Sequence, residues 1–174
     1  MASKTSDTMS QYVKWLNDIK TFATSEWLTE NQRPAFERIV KKWKSQPFVC
    51  LHGAAGCGKS FVARLLHKEH GYVYVSDLND APANSDQVVL DGQAYDRNLR
   101  AVAQLKQLRR VVIISRTLPK DDMPQANISL TQDDVNAFYG VLHRNNIIGT
   151  FYEELNTTNL DQILKNEALK RMET

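Results

Sequence analysis

Residues 53–60 read Gly-Ala-Ala-Gly-Cys-Gly-Lys-Ser, filling every fixed position of the spacing GxxxxGK[ST]. Glycines at this spacing let successive backbone N–H groups turn inward around a polyphosphate. A helix starting directly behind them adds its positive end, and a lysine reaches the outer phosphates. The cradle would be Gly53, Ala54, Ala55, Gly56, Cys57 and Gly58, followed by Lys59, by Ser60 as a Mg²⁺ ligand, and by Phe61 in the opening turn of the helix. Such chemistry needs a second acidic group near the metal, at the end of another buried strand. Asp91, which closes the apolar run Val88-Val89-Leu90, is the candidate, although Asp91-Gly92 also reads as a turn.

The segments around these residues must form the strands and helices that place them. Phe48 to His52 is a short apolar run that leads into Gly53 and reads as a buried strand. Phe61, Val62, Leu65 and Leu66 follow at helical spacing, and Gly71 then precedes the strand candidate Tyr72 to Val75. Further runs end at Asp91 and, through Val111 to Ile114, at Ser115; a helical segment with Leu99, Val102 and Leu105 separates them, and Asn127 to Leu130 is a fifth candidate. Buried strands alternating with helices predict an α/β fold, a three-layer αβα sandwich with a mainly parallel sheet.

Two helices precede this core. Residues 8–23 place Tyr12, Trp15, Leu16, Ile19, Phe22 and Ala23 at helical spacing, and Phe36, Ile39, Val40 and Trp43 mark the second helix. Thr29 and Gln32 have capping-box spacing before that helix, whose polar face carries the basic stripe Arg38, Lys41, Lys42 and Lys44. After the core, Thr131 caps a helix with Val135, Phe138, Tyr139 and Leu142, and Asn159 to Met172 reads as a last helix. The chain thus divides into an N-terminal helical extension (1–46), a core (47–130) and a lid-like C-terminal helical segment (131–174) that forms one compact unit with the core. Pro119, Pro124 and the intervening Lys120-Asp121-Asp122 mark a loop within that unit.

Composition excludes several classes. The 174 residues hold 22 Lys/Arg, 20 Asp/Glu and two Cys, which rules out a disordered chain, a collagen and a disulfide scaffold. No apolar stretch approaches the roughly 18 residues of a membrane span, and no secretory signal is present. These features predict a protein of the cell interior without a membrane partner, cytoplasmic or associated with a nucleoid. Cys50 and Cys57 lack CxxC metal spacing and read as free thiols. Net charge is +3 over residues 1–47, +4 over 48–120 and −5 over 121–174, so the first two thirds are basic. That balance leans only weakly toward nucleic acid.

With the Gly53–Ser60 motif, the preceding strand and the following helix, the chain resembles the P-loop NTPase superfamily, over roughly residues 47–130. The resemblance is to its AAA+ and helicase-type ATPase branch, and it implies ATP and Mg²⁺ as ligands. In that branch the acidic residue ending the strand is followed by a Glu that orients the attacking water, whereas this chain has Gly92. A base would then have to come from Asp96, Asp77, Asp80 or a partner subunit. Ser115 resembles a residue that senses the γ-phosphate, and Arg116, Arg109 and Arg110 are available to stabilise charge. The stretch Leu28 to Ala35 is similar to the entry of superfamily 1 helicase cores, where a Gln contacts adenine. Gln32 is the matching residue and is equally explained as the capping partner of Thr29. The 44 residues from 131 to 174 leave no room for a second RecA-like domain.

Three functions compete. The first is an ATPase acting on nucleic acid or a nucleoprotein assembly in replication, mobile-element or packaging roles, with basic residues around 38–44 and 97–110 on phosphates and an ATP-promoted oligomer completing the site. The second is a nucleotide-gated adaptor with little turnover, whose protein partner would meet aromatic residues such as Trp15, Trp27 and Tyr152. The third is a small-molecule kinase, disfavoured because only 12 residues separate Val75 from Val88. In all three, Cys57 would lie beside the phosphates, so bound MgATP would slow its alkylation.

Overall fold

A computed structural model describes residues 2–41, 47–92, 95–116, 123–148 and 157–170. Two helices, α1 (Ala2–Phe22) and α2 (Arg33–Lys41), precede the strand β1 (Phe48–Gly53) and the helix α3 (Lys59–His70). Then come β2 (Val73–Val75), β3 (Gln87–Asp91), α4 (Arg97–Leu105), β4 (Arg110–Ser115), β5 (Gln125–Ile128), α5 (Gln132–Arg144) and α6 (Leu160–Lys170). Lys42, Trp43, Lys44, Pro119, Lys120, Asp121, Asp122, Tyr152 and Met172 lie outside the described residues. The α/β expectation holds: five strands form one all-parallel sheet in the order β2-β3-β4-β1-β5.

Each strand alternates between two cores because successive side chains point to opposite faces. Val49, Leu51, Val89, Val112, Ala126 and Ile128 join one cluster with residues of α1, α2, α3, α5 and α6. Phe48, Cys50, Val88, Leu90, Val111 and Ile113 join a second cluster with Leu99 and Ala103 of α4. The sheet is therefore covered on both faces, the arrangement a parallel sheet requires. Leu105, placed at helical spacing by the sequence, is 84% exposed, because α4 turns it away from Leu99 and Ala103 at its last residue.

Direction of travel explains the layers. From β1 the chain runs across to β2 at the far edge, with α3 on the first face. The connections from β2 through β3 to β4 run the other way and lay Leu78, Ala81 and α4 on the second face. Because crossovers keep one hand, reversing direction exchanges the face. The loops leaving β1 and β4 consequently part at the carboxyl end of the sheet, which is where open α/β sheets form a binding crevice.

The fifth strand begins two residues earlier than the sequence suggests. Its register is set by pairing with β1, from Cys50 against Gln125 to Gly53 against Ile128. Trp15 and Trp27 are 1% and 7% exposed, so they are core residues and offer no partner surface. They help join the N-terminal helices, the C-terminal helices and one sheet face into one continuous core.

Asp134 ties the two ends of that core together. It completes a capping box with Thr131 at the start of α5 and accepts hydrogen bonds from the Asn31 backbone N–H at 3.1 Å and side chain at 2.6 Å, just ahead of α2. Burial pushes the Asp134 carboxyl up, but the bonds from Asn31 and Thr131 outweigh it and hold the group well below the usual carboxylate range. A depressed carboxyl stabilises the fold above its unfolded value of about 4, and that contribution is lost as pH falls through the folded value. Asp134→Ala should cost about 2–3 kcal/mol at pH 7. In urea unfolding, the gap to the native chain should narrow progressively as pH is lowered below the unfolded value of about 4.

Candidate functional site

A cleft of about 1050 Å³ opens at the carboxyl ends of β1, β3 and β4. Ala55, Gly56, Gly58, Lys59, Ser60 and Phe61 line it from the loop after β1, Asp91 and Gly92 from β3, and Ser115 and Arg116 from β4. The opposite wall, with Leu16, Ile19, Phe138, Asn159, Leu160 and Leu164, comes from the terminal helices. Sequence-nominated residues far apart in the chain are thus brought to one opening. The register explains why: His52 faces Ser115 and Asp91 faces Ile114, so three strands finish nearly level.

The residues fit a polyphosphate. Gly58 provides no side-chain cap to α3, leaving the first-turn N–H groups directed at the cleft. Lys59 is 8% exposed and its ammonium donates to the carbonyls of Gly53 and Ala54, 2.7 Å each, which fixes it at the mouth of the loop. Gly56 has φ +76°, and a Cβ there would fall 1.9 Å from Oδ1 of Asn159, so only glycine lets α6 close on the loop. The Leu160 N–H donates to the Gly56 carbonyl at 3.0 Å.

They also fit a hard cation. Ser60 Oγ lies 3.4 Å from Asp91 Oδ2, near the spacing of neighbouring oxygens around Mg²⁺, which is about 2.9 Å for bonds of 2.0–2.1 Å. No cluster of three or more His, Cys, Asp or Glu occurs among the described residues. A two-oxygen site completed by phosphates falls below that count. Tyr74, which the sequence did not nominate, donates its hydroxyl to the same Asp91 oxygen. Burial first, then the Asp91 carboxylate, push the Tyr74 hydroxyl far above its usual range, so it stays a protonated donor. The sequence signal was Tyr74 itself, a polar-tipped aromatic in a strand beside the Asp91 strand.

Gln32 is fully buried and engaged at both ends of its amide. Oε1 accepts from the Thr29 N–H at 3.1 Å, and Nε2 donates to the Cys57 carbonyl at 3.1 Å. The residue is a half capping box and a brace for the loop after β1 at once. Thr29 Oγ1 makes no hydrogen bond, so the reciprocal half of that box is not formed.

Several expectations need correction. Cys57, expected at the loop surface, is 2% exposed with Sγ 3.7 Å from Lys59 Nζ, and it does not line the cleft. Asp77 and Asp96 accept backbone N–H groups as caps of the 3₁₀ turn Leu78–Asp80 and of α4; neither lines the cleft, nor does Asp80. Arg110 opens β4, five residues and roughly 17 Å from Ser115 at its carboxyl end, and Arg109 precedes it; neither lines the cleft, which leaves Arg116 as the one of the three that does. Burial holds the His52 imidazole below its usual range, aided by the charge of Lys59.

No protein-family model and no curated protein matches the chain. No helix among the described residues is long and apolar enough to cross a membrane.

Both cysteines are free and buried, and burial pushes the Cys50 thiol up to about 11. A chromogenic disulfide reagent should therefore titrate two thiols per chain only after denaturant is added. Native labelling should be slow with or without MgATP.

Proposed function

We propose that the chain is a P-loop ATPase of the AAA+/helicase type that binds ATP with Mg²⁺ and acts on nucleic acid or a nucleoprotein assembly. The observation that carries this reading is the convergence of Lys59, Ser60 and Asp91 at one cleft, with Ser60 Oγ 3.4 Å from the Asp91 carboxylate. In this reading the loop Gly53–Gly58 and the first turn of α3 hold the phosphates, and Lys59 turns a donor to the outer ones. Ser60 and Asp91 hold the cation, whose chemistry is to neutralise charge on the phosphate oxygens. The position of β4 between β1 and β3 supports the sensor role of Ser115, since it brings that residue between the phosphate loop and Asp91. Arg116, exposed at the same edge, would stabilise charge in its own site or in that of a neighbour.

Nucleic acid follows from the resemblance and from the basic first two thirds of the chain. Self-association follows from the missing carboxylate, because a neighbouring copy would supply the groups this site lacks. A small-molecule kinase is disfavoured: between β2 and β3 the chain forms one 3₁₀ turn, with Leu78 and Ala81 packed into the α4 side of the core. No acceptor-binding segment can be formed there.

One observation favours a second reading, a nucleotide-gated adaptor with little turnover. Gly92 occupies the position of the water-orienting Glu and has φ +128°, a conformation in which any L side chain is strained. The backbone here is shaped for glycine. Gly92→Glu should therefore lower the melting temperature and give no gain in ATP turnover; a tenfold gain would show that only the carboxylate was missing.

ATP turnover with and without single-stranded and duplex nucleic acid tests the first reading, beside Lys59→Ala and Asp91→Ala. Stimulation that disappears in both variants is the expected result. Tight ATP binding without turnover selects the adaptor, and absence of ATP binding overturns both. Mass measured with Mg²⁺ and a non-hydrolysable ATP analogue should exceed that of one chain, and a strict monomer would remove the shared-site argument.

A further inference from the structure

We propose that Tyr74 is a positioning residue for the cation site: its hydroxyl holds Asp91 Oδ2 next to Ser60 Oγ, so both metal-binding oxygens are gathered in advance. The inference rests on the nucleotide-binding reading above and concerns a residue that reading does not require.

Strand register places the contact. Tyr74 of β2 pairs with Val89 of β3, two residues before Asp91, and Val89 and Asp91 point to the same side of the sheet. That side carries α3, and Tyr74 packs against the core there. The phenol ring spans the two-residue offset along the strand and ends on the carboxylate. A phenylalanine would fill the same space and pair the strand equally well. The hydroxyl thus adds only the contacts at its tip, with Asp91 and with Ser60.

A second contact holds the ring. Arg64 follows Ser60 by four residues on α3, one turn along the same helix face, and its guanidinium carbon lies 5.5 Å from the centre of the Tyr74 ring. Ser60 and Arg64 on the helix therefore face Asp91 and Tyr74 on the strands. The result is a four-residue frame with the cation-binding oxygens at one end and a cation–π contact at the other. Asp91 Oδ2 receives both the Tyr74 and the Ser60 hydroxyls, which removes the carboxylate's freedom to rotate.

Outer partners of metal ligands are typically worth ten- to a hundredfold in metal affinity. The test is a Mg²⁺ titration of the full chain with a fluorescent ATP analogue, begun in EDTA, comparing the native chain with Tyr74→Phe. The Mg²⁺ concentration for half-maximal tightening should rise about tenfold. Affinity in EDTA should stay within twofold, and Tyr74→Phe should have no further effect in an Asp91→Asn background. An unchanged Mg²⁺ midpoint overturns the proposal. So does an equal loss with and without Mg²⁺, which marks a purely structural role, or full additivity with Asp91→Asn. A native chain that binds the analogue without any Mg²⁺ effect, or does not bind it, overturns the nucleotide reading and this inference together. Should Tyr74→Phe fail to fold, Arg64→Met frees the ring while leaving the hydroxyl, and a rise of about threefold is expected; no rise counts against the frame.

Discussion

The single hand of crossovers between parallel strands is the constraint on which the rest of this structure depends. From β1 the chain crosses to the far edge of the sheet, so α3 must lie on one face; the return through β3 and β4 must place α4 on the other. The loops after β1 and β4 are thereby forced apart at adjacent strand ends. No side chain has to create the cleft. The side chains only decide what the cleft can hold, through an uncapped helix start, a lysine tied to two carbonyls, and a serine beside a carboxylate.

The terminal helices belong to that site as much as the sheet does. Gln32 ahead of α2 braces the loop after β1 through the Cys57 carbonyl, and Leu160 at the start of α6 bonds the Gly56 carbonyl. Asp161 of α6 accepts the Tyr12 hydroxyl of α1, and burial of its carboxyl is outweighed by Lys165 and Tyr12, which hold it below the usual range. Asn31 and Asp134 link α2 to α5. The N-terminal and C-terminal helices flank the strand–helix run in the linear chain. Packed, they share one hydrophobic core with a face of the sheet.

Position 92 shapes the chemistry differently from position 91. Asp91 is held by two hydroxyl donors, whereas the next residue leaves the strand with a backbone that suits glycine. A carboxylate at 92 is therefore opposed by local geometry as well as being absent. The nearby acids Asp77 and Asp96 are used as caps, which ties them to backbone N–H groups.

The sequence by itself determined the strand–loop–helix unit at Phe48–His70, the positions of β2, β3 and β4 beside it, and the grouping of Lys59 and Ser60 with Asp91. These follow from local physics: apolar runs bounded by Gly and Pro, a glycine spacing that shapes one loop, and an acid at a strand end. The Thr131 cap was legible for the same reason, since a capping box spans four residues. The tertiary structure decided what depends on register and packing between distant segments. It gave Gln32 two partners 3 and 25 residues away, buried the Cys57 thiol, left Arg109 and Arg110 at the amino end of β4 away from the cleft, buried Trp15 and Trp27, and brought Tyr74 to Asp91. Periodicity states which face of an element is apolar, but only strand order and register state which neighbour that face meets.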